Sequence, residues 1–278
     1  MASARRSALG PWLLYGGLGL WLLLASLPIV WTLVISLRSY VDAFSAPLKW
    51  WAPITFENYR GLWVDREFHR NFVNTAVVTA STVAISLTVG CLAGYALARY
   101  RGAVGFWLLI IALVFRALPH STLLPSFGVM FDALGIRNTT FTLVFVLVAI
   151  NQPFTIWMLR SFFASIPQEL DEAAMVDGCT RLQAFRRVII PVMWPGVVTT
   201  GLFSFLLAYN DFLLSSALTN AERMTMPAAI AGAITAESDA LLMQGVAGAV
   251  SITLPLIVLV ALFQKQIVSG LTQGAVKG

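Results

Sequence analysis

The side chains best suited to chemistry in this sequence are a few charged and amide groups inside long apolar stretches. Arg116 and His120 lie four residues apart in one stretch, and Asn210 and Asp211 are adjacent in another. A charge inside a bilayer costs at least about 2.5 kcal/mol, so such groups usually pair with one another or line a polar path. We expect Asp211 to pair with Arg116 or His120, either locking two helices together or lining a solute path. Snorkelling of these groups to the outer interface is the third interpretation.

A second polar group, Asn151 and Gln152, directly precedes Pro153 inside another apolar stretch. A side-chain amide both donates and accepts hydrogen bonds, which suits the hydroxyl groups of a solute. The same groups equally suit hydrogen bonds between membrane helices, which contribute about 0.6 kcal/mol on average. Both interpretations stay open for Asn151, Gln152 and Asn210.

Few residues support catalysis. The chain has two histidines, and the one besides His120, His69, lies outside the apolar stretches, so no catalytic constellation or metal-ligand cluster is visible. Cys91 lies in an apolar stretch and Cys179 in a polar one, so we expect no disulfide between them. No GxxxxGK[ST] segment is present with which to bind ATP phosphates. We expect no catalytic residue, cofactor or metal in this chain.

The elements that position these groups follow from composition. Apolar residues make up 58% of the chain and charged residues 11%, against about 25% charged residues in a soluble domain. A spanning helix needs about 20 mostly apolar residues, and six stretches qualify. The sequence therefore predicts an all-α, polytopic membrane protein with six transmembrane helices. The predicted spans are 11–36, 71–98, 104–129, 141–163, 196–218 and 241–263.

Local features refine two of these spans. Pro119 and Pro125 flank His120, which predicts that the third span is kinked or broken there. Gly90 and Gly94 form a GxxxG pattern that permits close helix packing in the second span. At about 1.5 Å per residue, Arg116 lies about 18 Å into its span and Asp211 about 22 Å into its own, which are similar depths.

The distribution of Lys and Arg predicts the orientation. With the N-terminus inside, ten of the 18 cations fall in cytoplasmic segments and seven in outer segments. Positive charge concentrates in cytoplasmic loops, so both termini are predicted to be cytoplasmic. The net charge of +5 is explained in the same way, and no nucleic-acid partner is expected.

The polar segment 164–195 has features of a binding site for a partner protein. Pro167 suits a helix start and Gly178 suits its stop. A second short helix is predicted to place Leu182, Phe185 and Ile189 on one face, before Pro191 and Pro195 end it. The small residues Ala173 and Ala174 permit close approach of a partner, to which Glu172 and Asp177 offer charge. An amphipathic loop lying on the membrane surface is the alternative.

The spacing in this segment is similar to a known pattern. Glu172-Ala173-Ala174, three residues, Gly178, nine residues and then Val188-Ile189-Ile190-Pro191 resemble the EAA loop of ABC importer permeases. The family has Ile and Leu where this chain has Val188 and Ile190, and both changes are conservative. Three further segments, 56–59, 208–213 and 270–278, resemble maltose-type carbohydrate permeases.

The resemblance implies a type I ABC importer permease fold in a prokaryotic cell (plasma or inner) membrane. It implies an N-terminal helix and outer loop over 1–70, a permease core over 71–264 with its coupling loop at 164–195, and a cytoplasmic tail over 265–278. The residues that couple to an ATPase would be Glu172, Ala173, Ala174, Asp177, Gly178 and Pro191.

The partners implied are two copies of an ABC ATPase subunit, a second permease and an extracytoplasmic solute-binding protein, with lipid around the spans. The solute would be an oligosaccharide, disaccharide, polyol or sugar phosphate. An autonomous ion-coupled secondary carrier is the alternative function.

Overall fold

The computed structural model describes residues 9–47, 49, 51–100, 102–117 and 119–275, and it describes no side chains at 9–11, 13, 120 and 267–275. The regular elements of these residues are helices, and none of the described residues forms a strand. The helices are α1 Leu9–Ser36, α2 Tyr40–Ala43, α3 Glu57–Arg60, α4 Phe68–Arg99, α5 Ala103–Ala117, α6 His120–Ala133, α7 Thr140–Ala164, α8 Glu169–Val176, α9 Arg181–Ala184, α10 Ile190–Tyr209, α11 Leu213–Leu218, α12 Met226–Ile234 and α13 Asp239–Ala275.

The long helices are candidate membrane spans. Five helical runs are long and apolar enough to cross a bilayer without interruption, and α5 and α6, bent by 96° relative to each other, make a sixth if the pair counts as one span. The bend falls at Pro119, which precedes α6 and cannot continue the helix of α5. The predicted all-α, multi-pass fold is confirmed with five to six spans, and the bend lies where the break in the third span was predicted. The five continuous runs are Leu14–Ser36, Phe68–Arg99, Thr140–Ala164, Arg181–Tyr209 and Asp239–Gln266.

The fifth span departs from its predicted bounds of 196–218. It runs over Arg181–Tyr209, because a π-helical turn at Phe185–Ile189 joins α9 directly to α10. Pro191 does not end the helical run, and it directly follows the π turn, as the second residue of α10. Pro195 lies inside α10. The prediction that these two prolines interrupt the chain before the fifth span is therefore wrong.

The chain divides into two compact units. The first comprises the described residues up to Arg66 together with Gly232–Leu254. Within it, the Trp63 Nε1–H donates to Ser251 Oγ at 3.1 Å. The residues of α1 expose large apolar side chains such as Trp21 (68%) and Leu23 (69%), as expected of a helix surrounded by lipid.

The second unit comprises Glu67–Ala231 and the described residues from Pro255 onward, and its centre is the packing of α4 against α7 and α10. Gly90 and Gly94 of α4 face α7, where Thr155 and Leu159 lie so close that a Cβ on either glycine would crowd them. The GxxxG pattern thus serves packing within the chain. Leu159, Phe163 and Ile189 are fully buried at the cytoplasmic end of this core, as the predicted orientation defines it.

Candidate functional site

Helix α8, the first helix of the polar segment, has the ends that its sequence predicts. Three acidic residues occupy its first turn, where the positive end of the helix dipole favours them. At the other end, Gly178 has φ +88°. Its N–H donates to Met175 O at 3.1 Å, and the Cys179 N–H donates to Ala174 O at 3.0 Å. These two bonds form a Schellman motif, which requires a left-handed residue at Gly178.

The two faces of α8 differ in exposure. Glu172 and Ala173 are exposed, and Asp177 beyond the helix end is exposed as well. Asp171 and Ala174 are buried, with 8% and 5% of their surface accessible. Of the two small residues expected to admit a partner, only Ala173 is therefore available on the surface. Ala174 instead packs inward.

Asp171 is a buried, ion-paired residue of this segment that the sequence analysis did not single out. Its carboxylate accepts the hydroxyl hydrogen of Tyr95 and the Nε–H of Arg99, the latter at 2.8 Å. The Arg99 Nη2 atom lies 2.7 Å from the same carboxylate. Tyr95 and Arg99 are one turn apart at the end of α4, which is a helical pair that the sequence displays. No local sequence feature indicates that Asp171, 72 residues further along the chain, is the partner of Arg99.

Arg99 and Tyr95 also join the neighbouring helix ends. The Arg99 Nη1–H group donates to the carbonyls of Phe163 at 3.1 Å and Ile166 at 3.2 Å, where α7 ends. The Tyr95 ring lies 5.6 Å from the ring of Phe163 and 4.8 Å from that of Phe185. One cluster of side chains therefore contacts α4, α7, α8 and the π turn. We call Tyr95, Arg99 and Asp171 the junction.

The second short helix, α9, begins with a capping box. The Thr180 side chain accepts the Gln183 N–H, and the Gln183 side chain accepts the Thr180 N–H. Phe185 and Ile189 are buried, but Leu182, which was predicted to share their face, is 58% exposed. The π turn that starts at Phe185 contains more residues per turn than an α-helix, so Leu182 is displaced from the buried face.

The polar residues of the spans partly converge on one cavity in the second unit. A cavity of about 200 Å³ is lined by Arg116, Asn151 and Asp211, together with Thr82 and apolar side chains. Arg116 lies over the ring of Phe154, with 4.6 Å from its guanidinium carbon to the ring centroid. Among the described residues, Arg116 and Asp211 form no ion pair, although they share this cavity.

Three buried polar atoms of this cavity lack a hydrogen-bond partner within the described part of the chain. They are Arg116 Nη1, Asn151 Oδ1 and Thr82 Oγ1. Asp211 differs, because its Oδ1 accepts the N–H of Leu214 at 3.1 Å and so begins the short helix α11. Asp211 therefore follows the end of the fifth span instead of lying within it. The prediction that Asp211 lies inside the fifth span is wrong. Asp211 does lie beside the same cavity as Arg116.

The remaining candidates are dispersed. The Asn151 amide donates to Ser86 Oγ at 3.5 Å, and the Gln152 amide donates to Ser86 O at 3.3 Å, so both link α7 to α4. The exposed Asn210 donates to Leu206 O of its own helix. His120 is the first residue of α6, and its side chain lies outside the described part of the chain.

Long apolar helices with a pair of short polar helices between them define a multi-pass membrane protein, and comparison with known families identifies its class. Residues 86–273 match the family described as the binding-protein-dependent transport system inner membrane component. The chain belongs to this family. The resemblance inferred from the EAA-like spacing is confirmed at the level of the family.

Several relatives align over nearly their whole length. The trehalose transport system permease protein SugB of Mycobacterium tuberculosis is 36% identical over 91% of this chain and 93% of the relative. The diacetylchitobiose uptake system permease protein DasC of Streptomyces coelicolor is 33% identical over 90% and 91%. The trehalose/maltose transport system permease protein MalG of Thermococcus litoralis is 32% identical over 90% and 91%.

A solved structure shares the fold. The crystal structure of a bacterial ABC transporter involved in the import of the acidic polysaccharide alginate contains a chain that superposes with a TM-score of 0.76. The match covers 95% of this chain and 99% of the other, at 24% identity. The predicted permease fold is thereby confirmed.

Proposed function

We propose that this chain is the transmembrane permease subunit of an ATP-driven importer that carries a sugar or related solute into the cytoplasm. The observation that supports it most is the whole-length similarity to permease subunits named for trehalose, diacetylchitobiose and maltose. The solute class is an oligosaccharide, disaccharide, polyol or sugar phosphate. Nothing in the described residues favours an autonomous ion-coupled carrier.

Coupling to ATP takes place through the exposed face of α8. Glu172, Ala173 and Asp177 are all exposed, and a surface with a small residue between two acids fits a cleft that carries positive charge. Gly178 contributes by its left-handed backbone, which fixes the turn between α8 and α9. Pro191 contributes by its place in the first turn of α10, which follows the loop directly.

The partners follow from the mechanism. The chain has no P-loop segment, so ATP hydrolysis belongs to a separate ATPase subunit, present in two copies. A second permease completes the path across the membrane, and an extracytoplasmic solute-binding protein delivers the solute. Closure of the ATPase subunits on ATP moves the coupling loops together and opens the path outward, and hydrolysis returns it inward. Both termini of this chain face the cytoplasm.

The cavity of Arg116, Asn151 and Asp211 is the part of the path that this chain supplies. Buried polar atoms without partners are costly, and three of them line this cavity with a carboxylate nearby. Hydroxyl groups both donate and accept, so a passing polyhydroxylated solute, or water that precedes it, satisfies Arg116 and Asn151 together. Gln152 donates to the backbone of α4 and so links two helices, whereas Asn210 donates to the backbone of its own helix.

The deciding experiment is purification of the tagged chain from its native membrane in mild detergent, followed by identification of the proteins that accompany it. The expected companions are an ABC ATPase, a second permease and a solute-binding protein. In reconstituted liposomes, Glu172→Lys should lower ATP-dependent uptake about tenfold by introducing like charge into the docking cleft. The control Glu237→Lys makes the same charge change at another exposed residue and should retain uptake.

Two outcomes would contradict the proposal. Recovery of the wild-type chain alone, still able to transport without an ATPase, would indicate an autonomous carrier. Wild-type uptake by Glu172→Lys would show that the exposed face of α8 is not the contact with the ATPase.

A further inference from the structure

The junction of Tyr95, Arg99 and Asp171 connects the coupling helix to two membrane spans through one guanidinium group. Arg99 extends from the last turn of α4. It binds the carboxylate of Asp171 in the first turn of α8 and the final carbonyls of α7. A cation at a helix C-terminus and an anion at a helix N-terminus each complement the helix dipole. Arg99 and Asp171 therefore connect the C-terminal end of α7 to the N-terminal end of α8.

The junction is shielded from solvent. The side chains of Arg99 and Asp171 are 17% and 11% accessible. A buried ion pair contributes little net stability, because removing both charges from water is costly, and its best-attested benefit is a fixed geometry. The Arg99 Nε–H donates to one carboxylate oxygen of Asp171 and the Tyr95 hydroxyl donates to the other, so both oxygens are held in place. The pair therefore restricts how α8 can rotate against the end of α4.

Neighbouring residues of α8 differ sharply in exposure. Glu172 is exposed on the face proposed to meet the ATPase, and Asp171, one residue earlier, is buried in the junction. The aromatic rings of Tyr95, Phe163 and Phe185 fill the space behind it, with centroids 4.8 to 6.1 Å apart. A displacement applied to the outer face of α8 is thus transferred through Asp171 to α4 and α7.

From these contacts we propose that Tyr95, Arg99 and Asp171 are positioning residues that convert movement of α8 into movement of the membrane spans. They do not contact solute or nucleotide. This inference rests on the proposed function, and it adds the buried residues by which the loop acts on the transport path.

The test is the number of solute molecules taken up per ATP hydrolysed by the complete transporter in liposomes. Asp171→Asn keeps the shape of the side chain and removes its charge, and it should lower this ratio about tenfold, within the range by which coupling networks respond to mutation. A purely structural role would reduce the amount of active complex, which lowers uptake and hydrolysis equally and leaves the ratio unchanged.

The matched control is the exposed pair of Asp132 and Arg137, which has the same 2.7 Å separation and side chains that are 55% and 43% accessible. Asp132→Asn should leave uptake per ATP unchanged. A milder variant, Tyr95→Phe, removes only one hydroxyl donor to Asp171 and should lower the ratio about twofold. If the Asp171→Asn complex fails to assemble, the ratio measured for Tyr95→Phe tests the role of the junction instead.

An unchanged ratio in a variant complex that assembles and hydrolyses ATP would overturn the role of the junction. That result differs from failure of the proposed function, in which the wild-type chain itself would show no ATP-dependent uptake.

Discussion

The close packing of α4 against α7 at Gly94 gives the sharpest stability prediction. A Cβ at this buried glycine would lie 3.0 Å from the backbone nitrogen of Arg160 and 3.1 Å from the Cβ of Leu159. Carbon atoms pack best at about 3.5 to 4.0 Å, so the two helices would have to separate by roughly 0.5 Å. Backbone atoms cannot turn aside as a side chain can, and overpacking of this kind costs about 1–3 kcal/mol.

The perturbation is Gly94→Val, which adds two methyl groups beyond the clashing Cβ and so belongs at the upper end, about 3 kcal/mol. The measurement is the apparent Tm of the purified protein in mild detergent, which should fall by roughly 6–12 °C. Gly17→Val is the matched control, because nothing lies within 4 Å of a Cβ at Gly17 in α1. Both variants undergo the same change in intrinsic helix propensity, so their difference measures packing alone.

The refuting result is a Gly94→Val protein whose Tm lies within the error of the Gly17→Val protein. The α4–α7 contact would then be loose enough to admit a larger side chain, and the GxxxG pattern would have another use.

Two further predictions concern the path and the orientation. Arg116→Met should lower uptake about tenfold, which corresponds to a loss of about 1.4 kcal/mol of stabilisation along the path, while the ATPase still co-purifies. Arg137→Met is the surface control. Equal uptake by both variants would show that Arg116 does not line the path. Cys179 is partly accessible and Cys91 is buried, so a membrane-impermeant maleimide should label Cys179 in inside-out vesicles and not in right-side-out cells. Labelling only from outside would reverse the proposed topology.

Features that depend on the backbone preferences of single residues were predicted correctly from the sequence. Pro119 marks the break between α5 and α6, and Gly178 marks the end of α8, because each residue type restricts the backbone by itself. The number of spans followed from apolar length. The junction could not be predicted in the same way, because Asp171 and Arg99 are distant in sequence and nothing local distinguishes Asp171 from Glu172.

Two errors share one physical cause. The π turn at Phe185–Ile189 changes the helical register, which displaced Leu182 from the predicted face, and it connects α9 to α10, which moved the start of the fifth span. A π turn has no simple residue signature, and prolines that usually end helices are tolerated at the start of α10. The similar depths of Arg116 and Asp211 predicted that the two lie near each other, and they line one cavity without forming an ion pair; the place of Asp211 beyond the helix end was not predicted.

The unbroken helical run from Arg181 to Tyr209 has a mechanical consequence. Its 29 residues correspond to a length of about 43 Å, which exceeds the hydrocarbon thickness of about 30 Å. A rod of that length pivoting by about 5° at its middle moves its two ends by roughly 2 Å in opposite directions. A small displacement of the Arg181 end at one membrane surface therefore moves the end near Asp211, on the other side of the bilayer, without any change in secondary structure.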